Sequence, residues 1–304
     1  MINSIQTSPY STHTKNGVDK TMSEPNIQLL PCGLVVHNHT LSVPGIKKKI
    51  LYHFSDTHLA LSDALSTPQE AQKAKDSTEG WEKGRKSFAR QYAQLCTEAQ
   101  KRSPRTHFEN LLRHAAADGD AIVLCGDIFD YVSGANLRFF DGALADISTP
   151  VMAVCGNHED LSQIPDGCRF ARVKDAVQIL ELDDISIIGF DNSLREITPA
   201  QNKRLLEVLE EGKPIIVAMH IPIMTAGNSD ILTQCGEYFR LNHPEADAST
   251  LEFIEILKRH ASKIIAVLAG HLHFSNESEI APGLTQYVST QGVLGNINRY
   301  EIGG

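Results

Sequence analysis

Five short stretches of the chain carry side chains able to hold metal ions: Asp56-Thr57-His58, Gly126-Asp127-Ile128-Phe129-Asp130, Gly156-Asn157-His158-Glu159, the single His220, and Gly270-His271-Leu272-His273. Their carboxylate, amide and imidazole donors suit manganese, iron or zinc, and with no thiolate among them they disfavour a cysteine-built structural zinc site. Taken singly, each is ordinary. An Asp-x-His is commonly a turn with a capping aspartate, and Gly-Asp or Gly-Asn pairs are everyday turn chemistry. His271 and His273 are a stronger pair, because two imidazoles on one short segment can reach two neighbouring ions.

The elements that precede these stretches give them a common design. Apolar, strand-like runs end immediately before each one, at residues 50–54, 121–125, 151–154, 215–219 and 264–268. Loops at the carboxyl ends of strands are where α/β sheets place their sites, so five such ends can converge on one point. Between them the sequence interleaves helix and strand. Residues 34–43, closed by Pro44-Gly45, suggest a short strand pair, and the charged stretch from Leu61 to Asp118 predicts two or three helices. A helix is expected over 135–146, with short strands at 177–180 and 185–188. Thr198-Pro199 is a helix start and Gly212 its stop. Ser249-Thr250-Leu251-Glu252 reads as a capping box, and the tail from Leu284 to Ile302 as antiparallel strands.

A chain of 304 residues, 41% of them hydrophobic, can bury one large core. One domain is expected over 27–304, after a polar, Ser- and Thr-rich leader at 1–26 with too few large apolar groups to offset the entropy of ordering. The formal net charge of −9 argues against stable nucleic-acid binding, which depends on Lys and Arg set against phosphates. No apolar stretch approaches the roughly 20 residues that span a bilayer, and the start of the chain offers no secretory signal. Six cysteines without CxxC spacing read as buried free thiols. These features together predict a cytoplasmic protein.

The five blocks, in this order, resemble the calcineurin-like metallophosphoesterase family, including its class III cyclic-nucleotide-phosphodiesterase-type signature. That signature runs Asp-x-His, Gly-Asp-x-x-Asp, Gly-Asn-His-Glu or Asp, a His after a strand, and Gly-His-x-His. The resemblance covers roughly residues 50–275. It implies two packed mixed β-sheets flanked by helices, a four-layer αββα sandwich, and a binuclear metal centre of two divalent or mixed-valence ions of manganese, iron or zinc. One ion would take Asp56, His58, Asp127 and His273; the other would take Asp127, Asn157, His220 and His271, with Asp127 shared. Two +2 ions against two carboxylates leave a local charge of about +2, which supplies the positive focus an acidic chain otherwise lacks. The implied reaction is hydrolysis of a small phosphorylated substrate by a metal-bridging hydroxide. His158 would bind a phosphoryl oxygen or protonate the leaving group, and Asp130 would orient it; the plain alternative for Asp130 is a helix cap.

Two departures narrow the substrate. Phosphoprotein phosphatases of the superfamily carry arginine directly after the second aspartate of the Gly-Asp block, where this chain has Tyr131, and the lipid A precursor hydrolases carry arginine at the position of His158. Phosphodiester hydrolysis is therefore expected, with a phosphomonoesterase or a non-catalytic binding scaffold as alternatives. The long gap between His58 and Asp127 predicts a charged helical insertion at about 62–106. It reads either as a wall over the metals, offering Trp81, Tyr92 and Arg85 or Arg90 to substrate, or as a solvated decoration.

Overall fold

Along residues 49–54 and 121–125 successive side chains turn to opposite faces, and each face has its own partner. Leu51, Ala121, Val123 and Cys125 meet Ile187, Ile216, Ala218, Ala266 and Leu268 in a layer between two sheets. Ile50, Tyr52, Phe54, Ile122 and Leu124 instead pack outward under helices. This period-two division is what a strand buried on both faces produces. The computed structural model describes residues 26–91 and 102–304, so the leader expected at 1–26 falls outside the described residues except for Asn26.

The first sheet contains β1 (Asn26–Leu29), β2 (Val35–Leu41), β3 (Lys49–Phe54), β4 (Ala121–Cys125), β5 (Val151–Val154) and β12 (Asn296–Ile302), in the order β1-β2-β12-β3-β4-β5. The second contains β6 (Val177–Glu181), β7 (Ser186–Phe190), β8 (Ile215–Ala218), β9 (Ile264–Ala269), β10 (Asn276–Ala281) and β11 (Leu284–Val288), in the order β10-β11-β9-β8-β7-β6. Both sheets are mixed. β3, β4 and β5 run parallel, as do β7, β8, β9 and β11, while β12 is antiparallel to β3. Parallel neighbours need crossovers, and most of these are helical, whereas β9 and β11 are joined through β10. Helices α1 (Pro68–Gln91) and α2 (Pro104–Asp118) join β3 to β4, and α3 (Gly134–Ala143) joins β4 to β5. In the second sheet α4 (Pro199–Glu211) joins β7 to β8, and α5 (Ser229–Cys235) and α6 (Ala248–Arg259) join β8 to β9.

Phe108, Leu111 and Leu112 of α2 and Leu137 and Phe140 of α3 cover the outer face of the first sheet. Leu205, Val208 and Leu209 of α4, with Phe253, Ile256 and Leu257 of α6, cover the second. The result is the αββα sandwich. α4 begins where the sequence places it, with a reciprocal Thr198–Gln201 capping box and Pro199 in its first turn, and it stops at Gly212 in the left-handed region, φ 86°.

Some expectations need correcting. The cap of α6 is Asp247, whose carboxylate accepts from the Thr250 N–H at 2.7 Å; Ser249, the cap of the expected box, lies inside the helix and its Oγ accepts from Asn202 Nδ2 at 3.1 Å. The tail strands do not pair with each other: β11 belongs to the second sheet, β12 to the first, and the segment between them crosses from one to the other. β2 is one strand paired with β1 and β12 rather than half of a pair closed by Pro44-Gly45. Of the cysteines, Cys125 and Cys155 are buried free thiols, whereas Cys32, Cys168 and Cys235 are partly exposed; Cys96 lies outside the described residues. No helix among the described residues is long and apolar enough to cross a membrane.

The layer between the sheets predicts the response to truncation. Leu268→Ala, at a fully buried position there, is expected to destabilise the fold by about 2–5 kcal/mol, read from the midpoint of urea unfolding, whereas Leu251→Ala on the exposed side of α6 is expected to shift it by less than about 0.5 kcal/mol.

Candidate metal centre

The carboxyl ends of β3, β4 and β5 from one sheet, and of β8 and β9 from the other, open at the same edge of the sandwich. Each chain segment there turns sharply. Asp56, His58, Asp127, His271 and His273 all have positive φ, between 42° and 72°, and Arg195 is the sixth such non-glycine among the described residues. A left-handed residue with a Cβ costs roughly 1–2 kcal/mol, so strain is concentrated on the residues singled out for their chemistry. Glycine permits the close approach beside them. A Cβ on Gly126, φ 80°, would stand 2.6 Å from His220 Nδ1 and 2.7 Å from the Cα of Gly156.

Two groups of donors result, and Asp127 belongs to both. Asp56, His58, Asp127 and His273 bring ligand atoms within 4.8 Å of one another, and so do Asp127, His220 and His271. Asp127 Oδ2 lies 3.8 Å from His58 Nε2 and 3.4 Å from His220 Nε2. Asn157 joins the second group through its side-chain oxygen, 3.0 Å from His220 Nε2. In the first group His58 Nε2 and His273 Nε2 face each other at 3.0 Å, and His273 Nε2 is 3.2 Å from Asp56 Oδ1. Two donors at right angles, each about 2.1 Å from one cation, lie about 3 Å apart, so this spacing suits a shared ion. Backbone contacts aim the ligands from behind. His220 Nδ1 donates to the Cys125 carbonyl at 2.7 Å, leaving Nε2 as the lone pair turned inward, and His271 Nε2 is 3.4 Å from the Tyr238 carbonyl.

His158 and Asp130 stand beside the first group. His158 Nδ1 donates to the Asp130 carbonyl at 3.0 Å and lies 3.4 Å from its carboxylate, while Nε2 is 4.0 Å from Asp127 Oδ2 on the open side. Asp130 is not the cap of α3, whose N-cap is Ser133. Its carboxylate accepts from Trp81 Nε1 at 3.0 Å and from Ser77 Oγ, both on α1. The structure thus brings together all nine residues selected from the sequence.

Charge in the pocket is compensated within it. The hydrogen bond from Asp130 pushes His158 up to about 9 against the effect of burial. Burial opposes charge on His220, yet the neighbouring Asp127 carboxylate outweighs it and pushes this imidazole up to about 10. Burial likewise opposes ionisation of Asp56, but His273 brings it down to about 2. His271 is pushed down to about 3 by burial and then by the charge of His220, which favours the neutral, ligating form. Binding of a divalent cation would take over the compensation now made by protons on these rings.

Three supporting residues carried no signal of their role in the sequence. Glu159, 4% exposed, accepts from the backbone N–H groups of Gly156 at 2.7 Å, Phe129 at 2.9 Å and Asp127 at 3.0 Å, so one carboxylate clamps the Gly-Asp and Gly-Asn loops together. Asn192 Oδ1 accepts from the N–H groups of His220 and Ile221, both at 3.0 Å. Trp81, which the sequence left either as available to substrate or as part of a solvated decoration, stacks its ring on His58 with centroids 4.1 Å apart. Tyr92 and the side chains of Arg85 and Arg90 lie outside the described residues.

Comparison with known proteins gives one family model and several similar solved structures. The family model described as calcineurin-like phosphoesterase matches residues 50–275. Among solved structures, similarity is found to a dimetal phosphatase from Danio rerio, at 12% identity over 81% of this chain and 88% of that one, with a TM-score of 0.47. A purple acid phosphatase from yellow lupin (Lupinus luteus) seeds matches at 13% identity over 86% of this chain and 47% of its own, TM-score 0.48. A 5'-nucleotidase from Candida albicans matches at 15% identity over 84% and 47%, TM-score 0.39. No curated protein matches this chain in sequence.

The Glu159 clamp is open to a direct test. In Glu159→Gln one carboxylate oxygen becomes an NH2 group facing a backbone N–H, so at least one donor loses its acceptor, at a cost of about 1–3 kcal/mol. We expect a lower urea midpoint and bound metal below that of the parent protein in elemental analysis, with Glu159→Ala more affected than Glu159→Gln.

Proposed function

Because the chain belongs to the calcineurin-like phosphoesterase family, and is on that ground a metal-dependent phosphoester hydrolase, we propose that it cleaves small phosphodiesters at a binuclear metal centre. The observation that carries this reading is the Asp127 carboxylate, whose Oδ2 stands between His58 of one donor group and His220 of the other. Asp56, His58, Asp127 and His273 would hold one ion, and Asp127, Asn157, His220 and His271 the other. When bound, the pair supplies Lewis-acid charge for a phosphoryl oxygen and lowers the pKa of bound water; manganese, iron and zinc all suit the donors.

The chain's own groups account for the rest. Asp56 and Asp127, ionised and buried, provide the negative charge that retains two cations. Asp130 holds His158 through Nδ1, which leaves the proton on Nε2 to be given to a leaving oxygen or shared with a phosphoryl oxygen. Preference for a diester is supported by Tyr131. Where phosphoprotein phosphatases place a guanidinium, this chain has an aromatic ring with the Lys73 ammonium 3.6 Å from its centroid. A dianionic monoester therefore meets no arginine from that position, whereas a diester, carrying one charge fewer, needs none. A cyclic nucleotide or another nucleotide or lipid head-group diester fits this requirement, and a cytoplasmic location is consistent with it.

The test is a metal-reconstituted screen. With manganese, iron or zinc restored, the protein is expected to turn over an aryl phosphodiester or a cyclic nucleotide with kcat/KM at least about tenfold above that for the matching aryl phosphomonoester. His158→Ala is expected to lower kcat by about 10²–10⁴-fold while binding the same amount of metal, and Asp127→Asn to lose both metal and activity. Turnover of the monoester alone would assign the protein as a phosphomonoesterase, and metal binding without turnover of any ester would favour a binding scaffold.

A further inference from the structure

Helix α1 meets the candidate metal centre along one narrow stripe. Ala74, Ser77, Thr78 and Trp81 recur at the three-and-four spacing that puts side chains on a single helix face; Ala74 is buried and the other three are half-buried, whereas Gln72, Lys75, Asp76 and Glu79 face solvent. The stripe offers little apolar surface, so polar contacts do most of the docking. They converge on one group. Ser77 Oγ and Trp81 Nε1 donate to the two oxygens of the Asp130 carboxylate, and Thr78 Oγ1 lies 3.4 Å from the Ala60 carbonyl.

Trp81 touches both His58 and Asp130. The His58 Nδ1 atom is buried without an aligned hydrogen bond, its nearest acceptor being Asp130 Oδ1 at 3.4 Å. The indole stacks on this ring at 28° between planes and also lies 5.3 Å from the His273 ring, while His158 meets the His58 ring edge-on with centroids 4.7 Å apart. A carboxylate, for its part, turns easily about its last torsion unless both oxygens are held.

We propose that Trp81 is a positioning residue of the metal centre: its ring sets the plane of His58, and its N–H, with Ser77, sets the carboxylate of Asp130 and through it His158. This rests on the two-metal reading above and deepens it. A substrate-facing role for Trp81 is disfavoured, because the indole N–H is committed to Asp130 and one ring face to His58. Groups that orient a metal-bound imidazole are typically worth 10- to 100-fold in metal affinity or activity.

Trp81 is the single tryptophan of the chain, so indole emission reports on this place alone. Titration of metal-free protein with manganese or zinc salts is expected to change that emission in step with metal uptake measured by equilibrium dialysis. Trp81→Ala is expected to weaken binding of one of two ions 10- to 100-fold and to lower kcat on an aryl phosphodiester by a similar factor, with KM within twofold. Trp81→Phe, which keeps a ring but not the N–H, is expected to recover most of the metal affinity and little of kcat; should Trp81→Ala not fold, this split carries the test. Unchanged affinity for both ions in folded Trp81→Ala overturns the proposal, and so does an effect confined to KM that grows with substrate size. If Trp81→Ala loses one ion while the parent protein hydrolyses no ester, the positioning role stands and the diesterase reading falls.

Discussion

Two carboxylates held nearly out of reach of water, Asp56 at 0% and Asp127 at 1% exposure, are the constraint that the surrounding structure answers to. A buried ion costs several kcal/mol unless it is paired and hydrogen-bonded. These two and three of their neighbours, His58, His271 and His273, also sit in left-handed backbone at about 1–2 kcal/mol each, a total comparable with the net stability of a whole domain. Such a pocket persists only where the rest of the fold over-determines it. The determination is visible in ordinary hydrogen bonds: the His271 N–H on Asp56, the His158 N–H on Asp127, and the Glu159 and Asn192 clamps behind the loops.

Packing of the sheets completes the pocket. Three of the five strand ends belong to one sheet and two to the other, so neither sheet alone has the donors to hold an ion pair. The segment that crosses between the sheets closes the floor: Gly292 and Val293 donate to the carbonyls of Ser55 and Asp56 at 2.8 and 3.0 Å, and Ser55 Oγ meets Ser289 Oγ at 2.6 Å. Stability of the inter-sheet layer and geometry of the site are therefore one problem. A void left between the sheets can move the ends of β8 and β9 relative to those of β3 and β4, with no ligand altered.

Much of this was legible because ligands at strand ends leave a local trace. Asp56, Asp127, Asn157 and His220 each follow an apolar run, and Gly126 and Gly156 mark where backbone must approach backbone, so type and spacing were enough to select them. Thr198 and Gly212 were legible for the same reason, their capping chemistry being local. What escaped depends on contacts distant in sequence. The Trp81–Asp130 hydrogen bond spans 49 residues and Asn192 reaches His220 across 28, with neither carrying a pattern in its own neighbourhood. The tail misled in the same way: β11 and β12 look alike as strands, and only the pairing of β12 with β2 and β3 assigns them to different sheets. Asp247 escaped because Ser249, the apparent cap, is drawn inside the helix, where its hydroxyl accepts from Asn202, 47 residues away in sequence.

An acidic chain that acts on an anion seems at first a contradiction, and distance removes it. Exposed charges separated by more than a Debye length, about 8–10 Å, are largely screened. The chain's net −9 therefore acts on a substrate mainly during approach, while inside a pocket walled by the sheets and α1 the local charges dominate. There two carboxylates would be matched against the two proposed ions, and His158, held protonated by Asp130, adds a positive group on the open side. Overall acidity slows encounter with an anion far more than it weakens the bound state.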